Sequence, residues 1–483
     1  TIIVFLYPFY VAYDLKKKVP SAEHGRGGDY EYDSWRKYAV RLSCMNVLYL
    51  ATCQFIKRHL SERYHKPCRL VIGLSMLSGV LSVNAVALMM TYMILFFSLV
   101  MWTRSKLITW LAILCSVYIT QQNDMMKVPF DLFGVYGQYE EVCRLCFFLA
   151  YLRCADFGCD VTNSTNATPT KAEVDDAETD DGEEQDSTDD KNEENIASEF
   201  LDFLDYIFYI PLFFSGPVLT MKYFMNGDKN KAKINKMEIL KDISTSLLYV
   251  LIMDQVVFKY TSTALTHLYS GLFLYQLGSF DSMCLAFYHV QIFCIKYTIF
   301  YRFVGIFAKL DGHIPPGTPK CAQMTLTFTD MWRTFDQGLY KILQKNIYFP
   351  IGGSRRGVPV QILSSFLCFL FVAFWHGGTQ RNHLLWGLLN WFGVIMESIG
   401  RILMRRFATE DFIKRNKILS AACLSVSGIA RVFANLVYLI NIKPTEILFT
   451  NVFKSWKGIF SVFGVAFLGA DMALDLEEIL SAK

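Results

Sequence analysis

Apolar residues in this chain are gathered into long runs separated by short polar loops. The clearest runs lie at 69–103, 245–259, 281–308, 358–375, 383–396 and 458–474. Several reach the roughly 20 apolar residues that cross a bilayer as a helix. The run 69–103 is too long for one span and predicts two that turn near Asn84. Further segments are expected at 38–57, 106–121, 239–259, 264–279, 383–400, 418–440 and 456–475. Strand-length stretches of alternating polarity, the mark of a membrane barrel, are absent. The pattern predicts an all-α polytopic membrane protein, with about ten to twelve transmembrane or re-entrant helices. They are expected to form a single membrane-embedded domain over 1–483.

Some stretches depart from this rhythm. The first, TIIVFLYPFYVAY, opens inside an apolar run with no Met and no basic flank, and reads as the remainder of a first span, not a signal peptide. Residues 14–37 read as a loop ending in an interfacial aromatic stretch, DYEYDSW. Residues 140–153 are short and carry Glu140, Glu141 and Arg144, which suits an interfacial or re-entrant helix. Residues 160–195 are dense in Asp and Glu and poor in apolar residues, so they cannot offset their ordering entropy and read as a disordered loop insertion. The sequons at Asn163 and Asn166 would matter only if that loop were lumenal, which is not favoured. In FLDFLDYIFYIPLFFSGPVL, Pro211, Gly216 and Pro217 break the helix. Such breaks at membrane depth need protein or a water-filled cavity against them.

Residues 326–348 read as one amphipathic helix. Phe328, Met331, Trp332, Phe335, Leu339, Ile342 and Leu343 recur at helical spacing. Arg333, Gln337, Lys341 and Lys345 mark polar positions. The loop that follows, PIGGSRRG, offers Arg355 and Arg356 to phosphates or lipid headgroups.

Composition sharpens the class without changing it. The chain is 53% hydrophobic with a net charge of +3, and its basic residues cluster in short loops, as cytoplasmic loops do. No basic domain stands clear of the membrane, which disfavours nucleic-acid binding. The thirteen cysteines are an odd number and scattered, which argues against a disulfide framework. Cys143, Cys146, Cys154 and Cys159 do cluster, but no His is near and the spacing is irregular for zinc. Structural or lipid-modified thiols are the preferred reading.

Two ionisable residues look misplaced. Asp336 lies in the aromatic helix and His376 at the end of the 358–375 span. Groups of this kind at membrane depth are costly and are functional by default. A neutral His is a good general base, and a carboxylate can orient it or take a proton itself. No Gly-Xaa-Ser-Xaa-Gly elbow or neighbouring Cys suggests a covalent acyl-enzyme. Taken alone, each residue is more often structural. A transporter would also use broken helices and buried charges, but no internal repeat is present and the spans carry few charges.

The ordered set DMWRTFDQGLYKILQKNIYFPIGGS, FVAFWHGG, FAKLDGHIPPGTPKC, LLNWFGV and ANLVYL resembles the membrane-bound O-acyltransferase family, in the branch that acts on Hedgehog-type signalling proteins. The likeness covers most of the chain outside 160–195. It implies palmitate transfer from palmitoyl-CoA to the N-terminal cysteine of a Hedgehog-type protein, among membrane lipids of the endoplasmic reticulum or Golgi. It implies Asp336 and His376 as catalytic residues. It further implies Trp332, Arg333, Tyr348 and Asn435 as an acyl-CoA channel and Cys321 as an axial ligand for haem. A relative that acylates a Ser hydroxyl, or a lipid, is the alternative. A Wnt-modifying member would be expected to show Asn in place of Asp336.

Overall fold

The computed structural model describes residues 8, 10–12, 30–164, 188–227, 235–258, 272–320, 325–377, 380–407 and 416–481. Regular structure among them is helical. The chain divides into two compact units, one of 41–234 with 307–315, the other of 1–40 with 235–306 and 316–483.

The first unit takes α1 (Tyr30–His59) from Arg41 onward, then α2 (His65–Val80), α3 (Val83–Thr103), α4 (Lys106–Gln121), α5 (Asn123–Phe133), α6 (Gln138–Ser164) and α7 (Thr188–Ile207). The run 69–103 divides as expected, with the turn at Ser82, whose hydroxyl accepts the Ala85 N–H at 3.1 Å and so caps α3. Residues 140–153 are not a short interfacial helix but the first half of the 27-residue α6. Their charges have local uses: Glu140 and Glu141 occupy the first turn, where the helix dipole favours anions, and Arg144 donates to the Thr120 carbonyl at 2.8 Å. At the edges of the acidic stretch 160–195, α6 runs on to Ser164 and α7 begins at Thr188. The middle of that stretch, 165–187, lies outside the described residues.

The break at Pro211 is met by protein. Buried Arg153 of α6 donates to the carbonyls of Tyr206, Ile207 and Leu212, where α7 and the turn after it leave acceptors without helical partners. Phe97, Phe157 and Phe203 pack their rings beneath this break. Arg69 on α2, half-buried, forms a two-pronged pair with buried Asp205 on α7.

The second unit holds the start of α1, α8 (Lys236–Ile252), most of α9 (Ser279–Asp311), and then α10 (Phe328–Phe335), α11 (Gln337–Leu343), α12 (Val358–Trp375), α13 (Arg381–Phe407), α14 (Lys417–Ile440), α15 (Ile442–Phe453) and α16 (Trp456–Ser481). The aromatic stretch DYEYDSW is helical from Tyr30 and not a loop; Tyr32 is fully buried and donates to Asp254 at 3.0 Å. Residues 14–29 lie outside the described residues, as does the first half of 264–279, up to residue 271. Residues 326–348 form two short helices instead of one, with the break at Asp336.

By length and composition, six described helices can cross a membrane: Glu31–His59, Val83–Thr103, Ser279–Asp311, Val358–Trp375, Lys417–Ile440 and Trp456–Asp475. Lys106–Gln121 is apolar but shorter. Among the described residues the chain is thus helical, with six helices long and apolar enough to span a membrane.

Candidate active site

The site is built in the second unit on α9 to α14. Helix α10 is capped twice at its start. The Thr327 hydroxyl accepts the Asp330 N–H at 3.0 Å, and Glu397 of α13 accepts the Phe328 and Thr329 N–H groups at 2.5 and 3.2 Å. The helix ends where Asp336 leaves helical geometry and caps the next one, its Oδ1 accepting the Leu339 N–H at 2.9 Å. Its other oxygen, Oδ2, accepts from the Tyr301 phenol of α9 at 2.5 Å. Burial raises the Asp336 pKa above the usual carboxylate range, against the opposing pull of these hydrogen bonds.

His376 follows the last residue of the α12 span. Its own N–H closes on Val372 O at 3.0 Å, and Gly377, at φ +112, turns the chain away. Only glycine takes that backbone conformation freely. Helix α13 then returns against α12 through Gly387, where a Cβ would stand 2.8 Å from the Ala373 Cβ. This close approach brings Trp386, the preceding residue, to the imidazole: the rings meet edge-on at 5.3 Å. Trp375 and Tyr438 complete the wall at 4.6 and 5.3 Å. Burial, and then the neighbouring His383, hold the His376 pKa below the ordinary imidazole range, so the ring is neutral near pH 7.

Asp336 and His376 do not hydrogen-bond to each other. Rings on α9 lie between them: Tyr301 bonds Asp336, Phe293 and Tyr297 pack on Phe335, and Phe293 meets Tyr438. Trp332 and Asn435 lie along the same wall. Trp332 packs on Trp386 at 5.6 Å and donates to Asn390 at 3.2 Å, while Trp386 donates to Asn435 at 3.1 Å. Arg333 is exposed. Tyr348 ends a π-helical turn, Gln344–Tyr348, that continues α11, and its ring lies against Gly353. Cys321, for which the resemblance implies haem, lies outside the described residues. Among the described residues no group of three or more His, Cys, Asp or Glu could hold a metal ion. Cys143, Cys146, Cys154 and Cys159 are all buried in α6.

Sequence reasoning passed over Tyr438, Tyr301 and Glu397. A phenol in an apolar run looks like span filler, but the ANLVYL stretch already placed Tyr438 one helical turn after Asn435. An apolar groove of about 610 Å³ also opens beside the wall, lined by Phe328, Leu389, Met396, Val426, Ala434 and Phe449 among others.

Fold and site together define a multi-span helical protein that holds an imidazole and a carboxylate behind an aromatic wall. The model of the membrane-bound O-acyltransferase family matches residues 70–439, and the chain belongs to that family. Among curated proteins it is similar to the protein-cysteine N-palmitoyltransferase HHAT of Mus musculus, 29% identical over 54% of this chain and 54% of that one. It is similar also to the protein-cysteine N-palmitoyltransferase Rasp of Drosophila melanogaster, 26% identical over 43% of this chain and 41% of the relative. The membrane-bound O-acyltransferase GUP1 of Millerozyma farinosa is 25% identical over 58% and 55%. The chain spans about half the length of the curated relatives it matches.

Proposed function

We propose that this protein is an acyltransferase of the endoplasmic reticulum or Golgi membrane that moves palmitate from palmitoyl-CoA to the N-terminal cysteine amine of a Hedgehog-type protein. The observation that carries the reading is His376, held on one ring nitrogen by Tyr438 and walled by Trp375, Trp386 and Tyr438. The two palmitoyltransferase relatives supply the acceptor. The groove supports the acyl chain: its volume falls in the range of small-molecule sites, and its lining is mostly apolar.

The chemistry needs two groups. The amine nitrogen attacks the thioester carbonyl, the carbon–sulfur bond breaks, and CoA leaves as thiolate. One proton must leave the amine nitrogen and reach the thiolate, and negative charge on the carbonyl oxygen must be met by a donor. Asp336 and His376 share these tasks. Trp332 and Asn435 shape the channel for the donor.

The test is mass spectrometry of a Cys-starting Hedgehog peptide incubated with purified protein and a mixture of acyl-CoAs. A palmitoyl amide that is lost in His376→Ala and Asp336→Asn is the expected result. Near-normal turnover in both variants refutes the assignment. The similarity to GUP1 favours a second reading, acylation of a hydroxyl on a lipid or another protein. Acyl transfer to lipid with none to the peptide selects it.

A further inference from the structure

Arg431 is a costly residue for α14 to carry. The helix is one of the six apolar enough to span a membrane, yet this arginine is buried, at 5% exposure. Among the described residues no carboxylate pairs with it directly, and its Nε has no hydrogen-bond partner. A buried cation without a directly paired counter-charge is disfavoured, and an apolar side chain of similar volume is often as stable or more so. Stability therefore gives no reason for an arginine at this position.

What the guanidinium holds is backbone. It donates to the carbonyls of Leu326 and Thr325 at 2.5 and 2.7 Å, the two residues ahead of the Thr327 cap of α10. A planar fork on two successive carbonyls fixes direction as well as distance. The same guanidinium donates to the Ser427 hydroxyl at 3.1 Å, and Ser427 donates on to Glu397 at 2.9 Å. Glu397 in turn accepts the first N–H groups of α10. The start of this helix is thus gripped by an acceptor from α13 and a donor from α14, tied through one hydroxyl.

Helix α10 is eight residues long and delivers Asp336 at its end. It works as an arm of about 12 Å, so a tilt of about 10° at its start carries the far end about 2 Å. Misplacement of a reacting group by about 1 Å costs on the order of 100-fold in rate. Arg431 also shares a face of α14 with Asn435 and Tyr438, at i, i+4 and i+7. Asn435 accepts from Trp386, and the Tyr438 hydroxyl lies 3.3 Å from His376 Nδ1. One helix face therefore touches both the root of the arm that carries the carboxylate and the imidazole itself.

We propose that Arg431 is a positioning residue: by holding the backbone ahead of α10, it sets where that helix places Asp336 relative to His376. This rests on the acyl-transfer reading above. Arg431 touches neither donor nor acceptor and acts only through α10.

Two variants test this in the same peptide assay, beside melting curves in detergent. Arg431→Met fills the space without the fork, so the melting temperature holds or rises while kcat falls at least about tenfold. Asp336 then shifts from the Tyr301 phenol, whose hydrogen bond favours the ionised carboxylate. Its pKa rises, and the acid limb of the pH–rate profile moves to higher pH. Arg431→Lys, which keeps the charge and loses the fork, falls between Arg431→Met and the wild type. Wild-type kcat with an unmoved acid limb in Arg431→Met overturns the proposal. So does a lowered melting temperature with wild-type turnover per folded molecule, which makes the arginine a packing residue. If Arg431→Met does not fold, Arg431→Lys decides: wild-type kcat and an unmoved limb there overturn the proposal, and a lowered kcat with a displaced limb supports it. All these outcomes leave the acyl-transfer reading standing. That reading falls separately if the wild-type protein forms no palmitoyl amide.

Discussion

Asp336 takes a hydrogen bond from the Tyr301 phenol on one carboxylate oxygen and caps its own helix with the other. Under the proposed function one side chain does both structural and chemical work, and substitution can separate the two. Asn is as good an N-cap as Asp, but it cannot take a proton. Asp336→Asn should lose activity by at least about 100-fold, within the range for general acid–base groups, and leave thermal stability in detergent unchanged. Asp336→Ala should lose both, with about 1 kcal/mol of stability gone. A transfer assay beside a melting curve checks the pair.

Tyr301 opposes the effect of burial on Asp336, since its hydrogen bond favours the ionised carboxylate. Tyr301→Phe removes that help, and the Asp336 pKa rises further. Activity that needs the carboxylate is lost as pH falls through its pKa, so the acid limb of the pH–rate profile should move to higher pH. The displacement should be about one unit, the worth of one charge-assisted hydrogen bond. A limb that stays in place refutes the link.

Glu397 aligns α10. Besides the Phe328 and Thr329 N–H groups, it accepts the Ser427 hydroxyl at 2.9 Å. Glu397→Ala strands these donors and should cost about 1–3 kcal/mol. Glu397→Gln, which keeps an acceptor oxygen, should cost less. Because Trp332 rides on α10, the Ala variant should also raise KM for acyl-CoA at temperatures where it stays folded. Melting curves and a KM series check both effects.

Ala430 lines the apolar groove and is exposed. Ala430→Trp should shorten the space for a chain. Two methylenes excluded forfeit about 1.6 kcal/mol of burial, so kcat/KM for palmitoyl-CoA should fall about tenfold relative to a chain shorter by two carbons. An unchanged preference across an acyl-CoA series would place the chain elsewhere.

Much of this architecture is legible in the chain itself. The span 358–375 is observed at those bounds because a glycine–proline start and a His-Gly end mark it chemically. The break near Pro211 was also readable. The length of α6 was not, because Glu140, Glu141 and Arg144 mimic an interfacial helix until their partners are known. The fracture of 326–348 was missed because apolar spacing continues smoothly through Asp336, and periodicity carries no signal of a mid-run cap. The two ionisable residues could be found from their cost in an apolar setting. Tyr438 could not, because a phenol in a span has no such cost once its hydroxyl is paired, and the pairing is tertiary.

The ring stripe on α9 has a consequence for the empty site. Phe293 reaches the His376 side through Tyr438, and Tyr301 holds Asp336, eight positions and about 12 Å of helix further on. The helix works as a gauge block that keeps carboxylate and imidazole apart, each bonded to a phenol and not to the other. Under the proposed chemistry, only a thioester and an amine arriving together bridge the gap. A stray water, too small to span it, finds half a catalyst, and the acyl-CoA is spared from futile hydrolysis.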